Sequence, residues 1–269
     1  MKTIAMAAAL TLAASGAAVA DHKAKTYGQH AHQQTGGVIY VAFSDSFDPV
    51  DENIISIPLS ATGNNGSQTV VVTAAALQAA LTPSTTELEV SDMAIHPDGD
   101  ILVVNGFDEG GQGVIGDPDF ISDEDALPGT GDILKANPDT GTVSLFIERD
   151  VFVNPVDSLG NPVAISGLFN PSIAVSGNGR IILANNDFGG AFVSWLSADG
   201  GTHRLIALPA DYEADADIDA GSNLNFELRG VDVDDSGVIY FSDQRNMDAV
   251  VRLTGVDYEL TNVEDWLDY

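Results

Sequence analysis

The sequence predicts an all-β fold made of repeated four-stranded antiparallel units, and three observations carry that prediction. A pattern of glycine, one variable residue and an apolar strand occurs four times: GVIYVAF from Gly37, GDILVVN from Gly99, GRIILAN from Gly179 and GVIYFSD from Gly237. These runs are short and rich in β-branched side chains, as strands buried on both faces are. The chain has no cysteine, so neither disulfides nor a Cys-ligated metal can replace a packed core.

Taken in order, each repeat fills with strands on both sides of its glycine. In three repeats a strand precedes the glycine across a tight polar turn, as MAIHPDG, IAVSGNG and VDVDDSG. Asp and Asn bond their own backbone in such turns and Gly takes a positive φ, so these segments read as hairpins. After the glycine strand come a third and a fourth: NIISIPL and TVVV, DILKAN and TVSLFI, FVSWLS and HRLIAL, AVVRLT and YELTNV. Each unit is then a meander, A-B-C-D, and radial repetition of such meanders gives a β-propeller. The TAAALQAAL run over residues 73–81 predicts one short helix, because its residues are good helix formers.

The four glycines lie 62, 80 and 58 residues apart, against roughly 40 to 50 for compact propeller repeats. The excess falls in 106–131, 148–169 and 209–226, which carry little strand pattern. In a meander the A-B and C-D turns share one end, and the B-C and D-A connections share the other. Here the first class is short and the second long. The acidic clusters at 45–52, 108–125 and 211–219 all belong to the second class, and are expected to converge on one face.

Residues 1–20 read as an export signal, with Lys2, an apolar run and a small-residue end at Ala18-Val19-Ala20. Residues 21–36 form a polar linker and 37–269 the propeller domain, in a protein expected to be secreted or periplasmic. No other stretch has the length of a membrane span. With 40 acidic and 10 basic residues and a net charge of −30, nucleic acid and anionic membranes are poor partners. Such a balance solvates a chain in salty surroundings, or collects cations. The first unit shows no A strand, and ELTNVEDWLDY is short for two strands. The chain is therefore either part of a larger propeller or a small ring of four or five blades.

The segments ELEVSDMAIHPDGDILVV, LFNPSIAVSGNGRIILAN and FELRGVDVDDSGVIYFSD resemble the NHL and SMP-30/gluconolactonase class of repeats. That resemblance, covering most of 37–263, implies a six-bladed type of propeller of which four units are visible. It further implies that a calcium-dependent lactonase of this class would take metal ligands from residues entering the innermost strands. In this sequence those positions are Ser91, Pro171 and Arg229, none of them a good oxygen ligand for a hard cation. Asp92 and Asn170, one residue to either side, remain as candidate ligands.

A separate calcium candidate is the loop holding Asp215, Asp217 and Asp219, whose alternating carboxylates have metal-ligand spacing. It departs from the EF-hand order, since Gly221 falls one place late and Phe226 stands where the closing Glu belongs. A solvated acidic loop explains the same residues, and the cluster Asp117, Asp119, Asp123, Glu124 and Asp125 likewise. There is no G-x-S-x-G elbow for a serine nucleophile. Of the five histidines, His22, His30 and His32 sit in the polar tail, His96 in an A-B turn, and His203 at the start of a D strand. Trp195 is expected to pack between blades and Trp266 to cap the last one. The reading is an exported propeller that binds a small molecule, glycan or protein, with calcium stabilising its acidic loops, rather than an enzyme. The alternatives are a calcium-dependent lactonase and a structural extracellular component.

Overall fold

The computed structural model describes residues 38–42, 53–58, 67–82, 88, 90–106, 131–152, 171–185, 192–207, 228–234, 236–243, 249–256 and 259–267. The expected export signal and linker, and the three acidic clusters, lie outside the described residues. So do Asp215, Asp217, Asp219 and Asn170.

Fifteen strands are described in four antiparallel sheets. Blade 1 has three, β1 (Val38–Ala42), β2 (Ile54–Pro58) and β3 (Thr69–Val72). Blade 2 is β4 (Val90–Ile95), β5 (Ile101–Asn105), β6 (Ile133–Ala136) and β7 (Val143–Ile147). Blade 3 runs β8 (Ser172–Val175), β9 (Ile181–Asn185), β10 (Phe192–Leu196) and β11 (His203–Ala207). Blade 4 consists of β12 (Leu228–Val233), β13 (Ile239–Asp243), β14 (Ala249–Val256) and β15 (Glu259–Leu267). Each sheet follows chain order from first strand to last, which is the expected meander. The A strands β4, β8 and β12 pack side by side, β4 against β8 and β8 against β12. First strands therefore line the inside of the stack, as propeller blades require.

The predicted helix is α1 (Ala74–Ala80), capped by Thr73, whose hydroxyl accepts the Ala76 amide. It joins blade 1 to blade 2 and buries Ala74 and Leu77.

Alternation along the strands sorts side chains into two cores. In β5, Ile101 and Val103 turn toward blade 1, joining Ile54, Val72, Leu77, Val90 and Leu134. Leu102 and Val104 turn toward blade 3, joining Ile133, Phe152, Ile181, Leu183 and Phe192. A strand's side chains point alternately to the two faces, so a blade sandwiched between two others must be apolar at every position. That explains why the repeat's glycine strand is a continuous apolar run rather than an alternating one.

The tight turns carry the geometry that their sequences promised. Gly99, Gly179 and Gly237 sit at φ of 93°, 86° and 86°, where L side chains are strained. In each turn the glycine amide donates to a carbonyl three residues back, at His96, Ser176 and Asp234. Among the described residues, no helix is long and apolar enough to cross a membrane.

Candidate functional site

The strand order defines two ends of the stack. One end gathers the A-B and C-D turns; the other gathers the strand ends from which the long connections leave, such as Ala42, Gly106 and Ala207.

At the turn end, blade 2 carries a polar network that reaches blade 3 through His96. The His96 ring places Nε2 3.2 Å from the Ala198 carbonyl oxygen and Nδ1 2.8 Å from Asp98 Oδ1. Lys135 Nζ donates to Asp98 Oδ2 at 2.5 Å and lies 3.6 Å from Asp100 Oδ2, while Asn137 Nδ2 donates to Asp100 Oδ1 at 2.8 Å. Partial burial pushes the Asp98 carboxyl up, but hydrogen bonds from Lys135, His96 and the Asp100 amide outweigh it and hold the group down at about 2. Lys135 also lies over the Phe146 ring at 5.6 Å. The ionisable groups here are engaged by one another and by blade docking. His96 sits in the A-B turn, as the sequence suggested, and it also docks blade 2 on blade 3.

On the inside, Asp92 is 7% exposed. Its Oδ1 accepts the Met93 amide at 2.8 Å, and its Oδ2 accepts the Ile173 amide of the next blade at 2.9 Å. Burial drives this carboxyl up to about 7, against the pull of those two amides. Beside it, the Ser91 hydroxyl lies 3.1 Å from the Pro171 carbonyl oxygen and 3.3 Å from that of Val104. The ladder slips between Val90 and Asp92 and again between Leu228 and Gly230, so Ser91 and Arg229 occupy equivalent bulges. The register pairs Met93, Ile173 and Val231 with Val103, Leu183 and Phe241, which confirms the alignment of the three A strands. A cation ligated by Asp92 would have to share oxygens already aimed at backbone N–H groups. Among the described residues, no group of three His, Asp or Glu side chains converges to hold a metal.

Asp132, the residue before β6, was not singled out by its sequence context. It is fully buried, and its two oxygens accept the Arg149 amide at 3.0 Å and the Thr82 amide at 2.9 Å. It ties the segment after α1 to the turn after β7. Burial raises its pKa, with the two amides opposing. The available signal was an acid beside a glycine at the mouth of an apolar strand, which a solvated loop shows equally well. His203 packs edge-on against Phe152 at 4.9 Å. Burial depresses its pKa to about 4, against a hydrogen bond with the Val151 backbone. Trp195 is 9% exposed in β10, and its ring carries Arg180 at 5.7 Å, so it packs within the stack as expected.

No protein-family model matches the chain, and a search of curated proteins finds no relative. Among solved structures, the chain is similar to a gluconolactonase from Xanthomonas campestris, at 12% identity over 84% of this chain and 58% of that one, TM-score 0.45. It is similar to a streptogramin B lyase, at 14% over 90% and 54%, TM-score 0.47. It is also similar to regucalcin, a calcium-binding protein from Agrobacterium tumefaciens, at 15% over 87% and 57%, TM-score 0.44. The chain thus spans little more than half the length of these proteins. They are β-propeller proteins, and the likeness is one of sheet architecture alone.

Proposed function

We propose that the chain is an exported binding scaffold that meets its ligand through the end bearing the long connections. One observation carries this reading: at the turn end of blade 2, His96, Asp98, Asp100 and Lys135 are spent on one another and, through His96, on docking blade 3. The Asp92 and Asp132 carboxylates, farther inside, are likewise spent on backbone amides. Groups so engaged hold a scaffold together and are poorly disposed to attack or protonate a substrate. The acidic connections at 108–125 and 211–219 supply the carboxylates that a calcium ion would use, and calcium would stabilise that end by neutralising like charges.

The test is calorimetric titration of chelator-stripped protein with calcium, read with its melting temperature. Calcium bound through Asp215, Asp217 and Asp219 raises the melting temperature by mass action, and their joint replacement by Asn abolishes both signals. No response to calcium removes the metal from the proposal. Lactone hydrolysis lost on changing Asp92 and Asn170 would overturn the binding reading in favour of a lactonase.

A further inference from the structure

We propose that Asn178, in the A-B turn of blade 3, is a site of spontaneous deamidation by the Gly179 backbone nitrogen, and that the product loosens the joint between blades 2 and 3. The same turn position holds Asp98 in blade 2, Asn178 in blade 3 and Ser236 in blade 4, each followed by a glycine at positive φ. Their chemistry differs. A serine offers no carbonyl carbon to attack, and the Asp98 carboxylate is held charged by Lys135 and His96, a form that resists a nucleophile. Asn178 presents a neutral carboxamide, and the residue after it has no side chain to shield the attacking nitrogen. The sequence has two other Asn-Gly pairs. Asn65 and Gly66 lie outside the described residues, and Asn105 is 3% exposed in β5. Asn178 is exposed.

The turn also polarises the group under attack. The Ser176 hydroxyl donates to Asn178 Oδ1 at 2.5 Å, and the Arg180 amide donates to the same oxygen at 3.3 Å. Negative charge gathers on that oxygen when Cγ becomes tetrahedral, so the two donors act as an oxyanion hole. The Gly179 amide donates to the Ser176 carbonyl at 2.8 Å. Attack waits on the opening of that bond, which costs little in a turn at the end of a sheet. Hydroxide from solvent then takes the Gly179 amide proton, and the nitrogen bonds to Cγ. The Cγ–Nδ2 bond breaks, and ammonia leaves with a proton from water, which restores the hydroxide. Water opens the cyclic imide at either carbonyl, leaving aspartate or isoaspartate at 178. Isoaspartate adds a methylene to the main chain where there is no room for it. A Cβ on Gly179 would lie 2.9 Å from the Ala198 side chain and 3.8 Å from His96 Nε2, the two residues through which blade 2 docks on blade 3.

The experiment holds the protein in mildly alkaline buffer, folded and in urea, until the urea sample has converted at Asn178. Peptide mapping by mass spectrometry follows the gain in mass from amide to acid, and an isoaspartyl methyltransferase labels the isoaspartate. The folded protein is expected to convert and take up label at Asn178 while Asn105 stays unchanged. Its melting temperature should fall in step, whereas Asn178→Ser, which copies the blade 4 turn, holds its own through the same incubation. Ser176→Ala should slow the folded reaction several-fold and leave the rate in urea unchanged. An unconverted Asn178 in the folded protein overturns the proposal. Conversion with no fall in melting temperature overturns the link to the joint, and a folded rate indifferent to Ser176→Ala overturns the oxyanion hole.

Discussion

Asp92 in β4 accepts the amide of Ile173 in β8 at 2.9 Å, so one carboxylate joins the inner strands of two blades. The same side chain accepts its neighbour's amide, Met93, at 2.8 Å. The bulge at Ser91 is what turns the side chain toward β8, since the extra residue re-aims the strand.

Burial makes the charged form of this carboxyl the costlier one, although both amides favour it. The folded state holds the Asp92 pKa at about 7, against an ordinary 3.8. Its contribution is thus complete below pH 4 and is lost as pH rises through 7, at no more than about 1.4 kcal/mol for each pH step of one. Urea unfolding of the wild type and Asp92→Asn from pH 4 to 8 should show the wild type losing stability relative to the variant as pH rises. Parallel curves would mean that the carboxyl is not desolvated in the fold.

His203 imposes the opposite trend. Its pKa is depressed from 6.5 to about 4, so its contribution is present above pH 6.5 and is lost as pH falls through 4. His203→Phe keeps a ring against Phe152 and removes the titration. The variant should resist acid between pH 6.5 and 4 better than the wild type; equal acid sensitivity would show an imidazole open to solvent.

Ser194 is fully buried in β10, and its hydroxyl has no hydrogen-bond partner among the described residues. An unpaired buried hydroxyl costs about 1 to 3 kcal/mol. Ser194→Ala is therefore expected to leave stability unchanged or raise it by about 1 kcal/mol. A clear loss of stability, in the same urea assay, would reveal a partner for the hydroxyl.

Glycine replacements should grade by their surroundings. A Cβ at Gly99 meets nothing within 4 Å, so Gly99→Ala costs the left-handed backbone alone, about 1 to 2 kcal/mol. At Gly179 the same atom lies 2.9 Å from the Ala198 side chain, in the neighbouring C-D turn. Gly179→Ala should then cost more than Gly99→Ala. Equal losses would show that the two turns can part without penalty.

Strand order, tight turns and α1 were legible because each rests on local chemistry. Asp98, Asn178 and Ser236 with their glycines make hairpins whatever surrounds them, and TAAALQAAL is helical by propensity. The roles of Asp92 and Asp132 were not legible. Their partners, Ile173 and Thr82 with Arg149, lie far along the chain, and a carboxylate that accepts backbone amides looks in sequence like one that binds a cation. The bulges at Ser91 and Arg229 were hidden for a similar reason: an extra residue in a strand shows only against its partner strand.

Leu102 and Val103 are chain neighbours that belong to different cores. Blade 2 is therefore welded on both sides, while blade 1 is described with a core on one side only. Unfolding should accordingly fray inward from the first blade, and amide protons of β5 should be among the last to exchange with solvent.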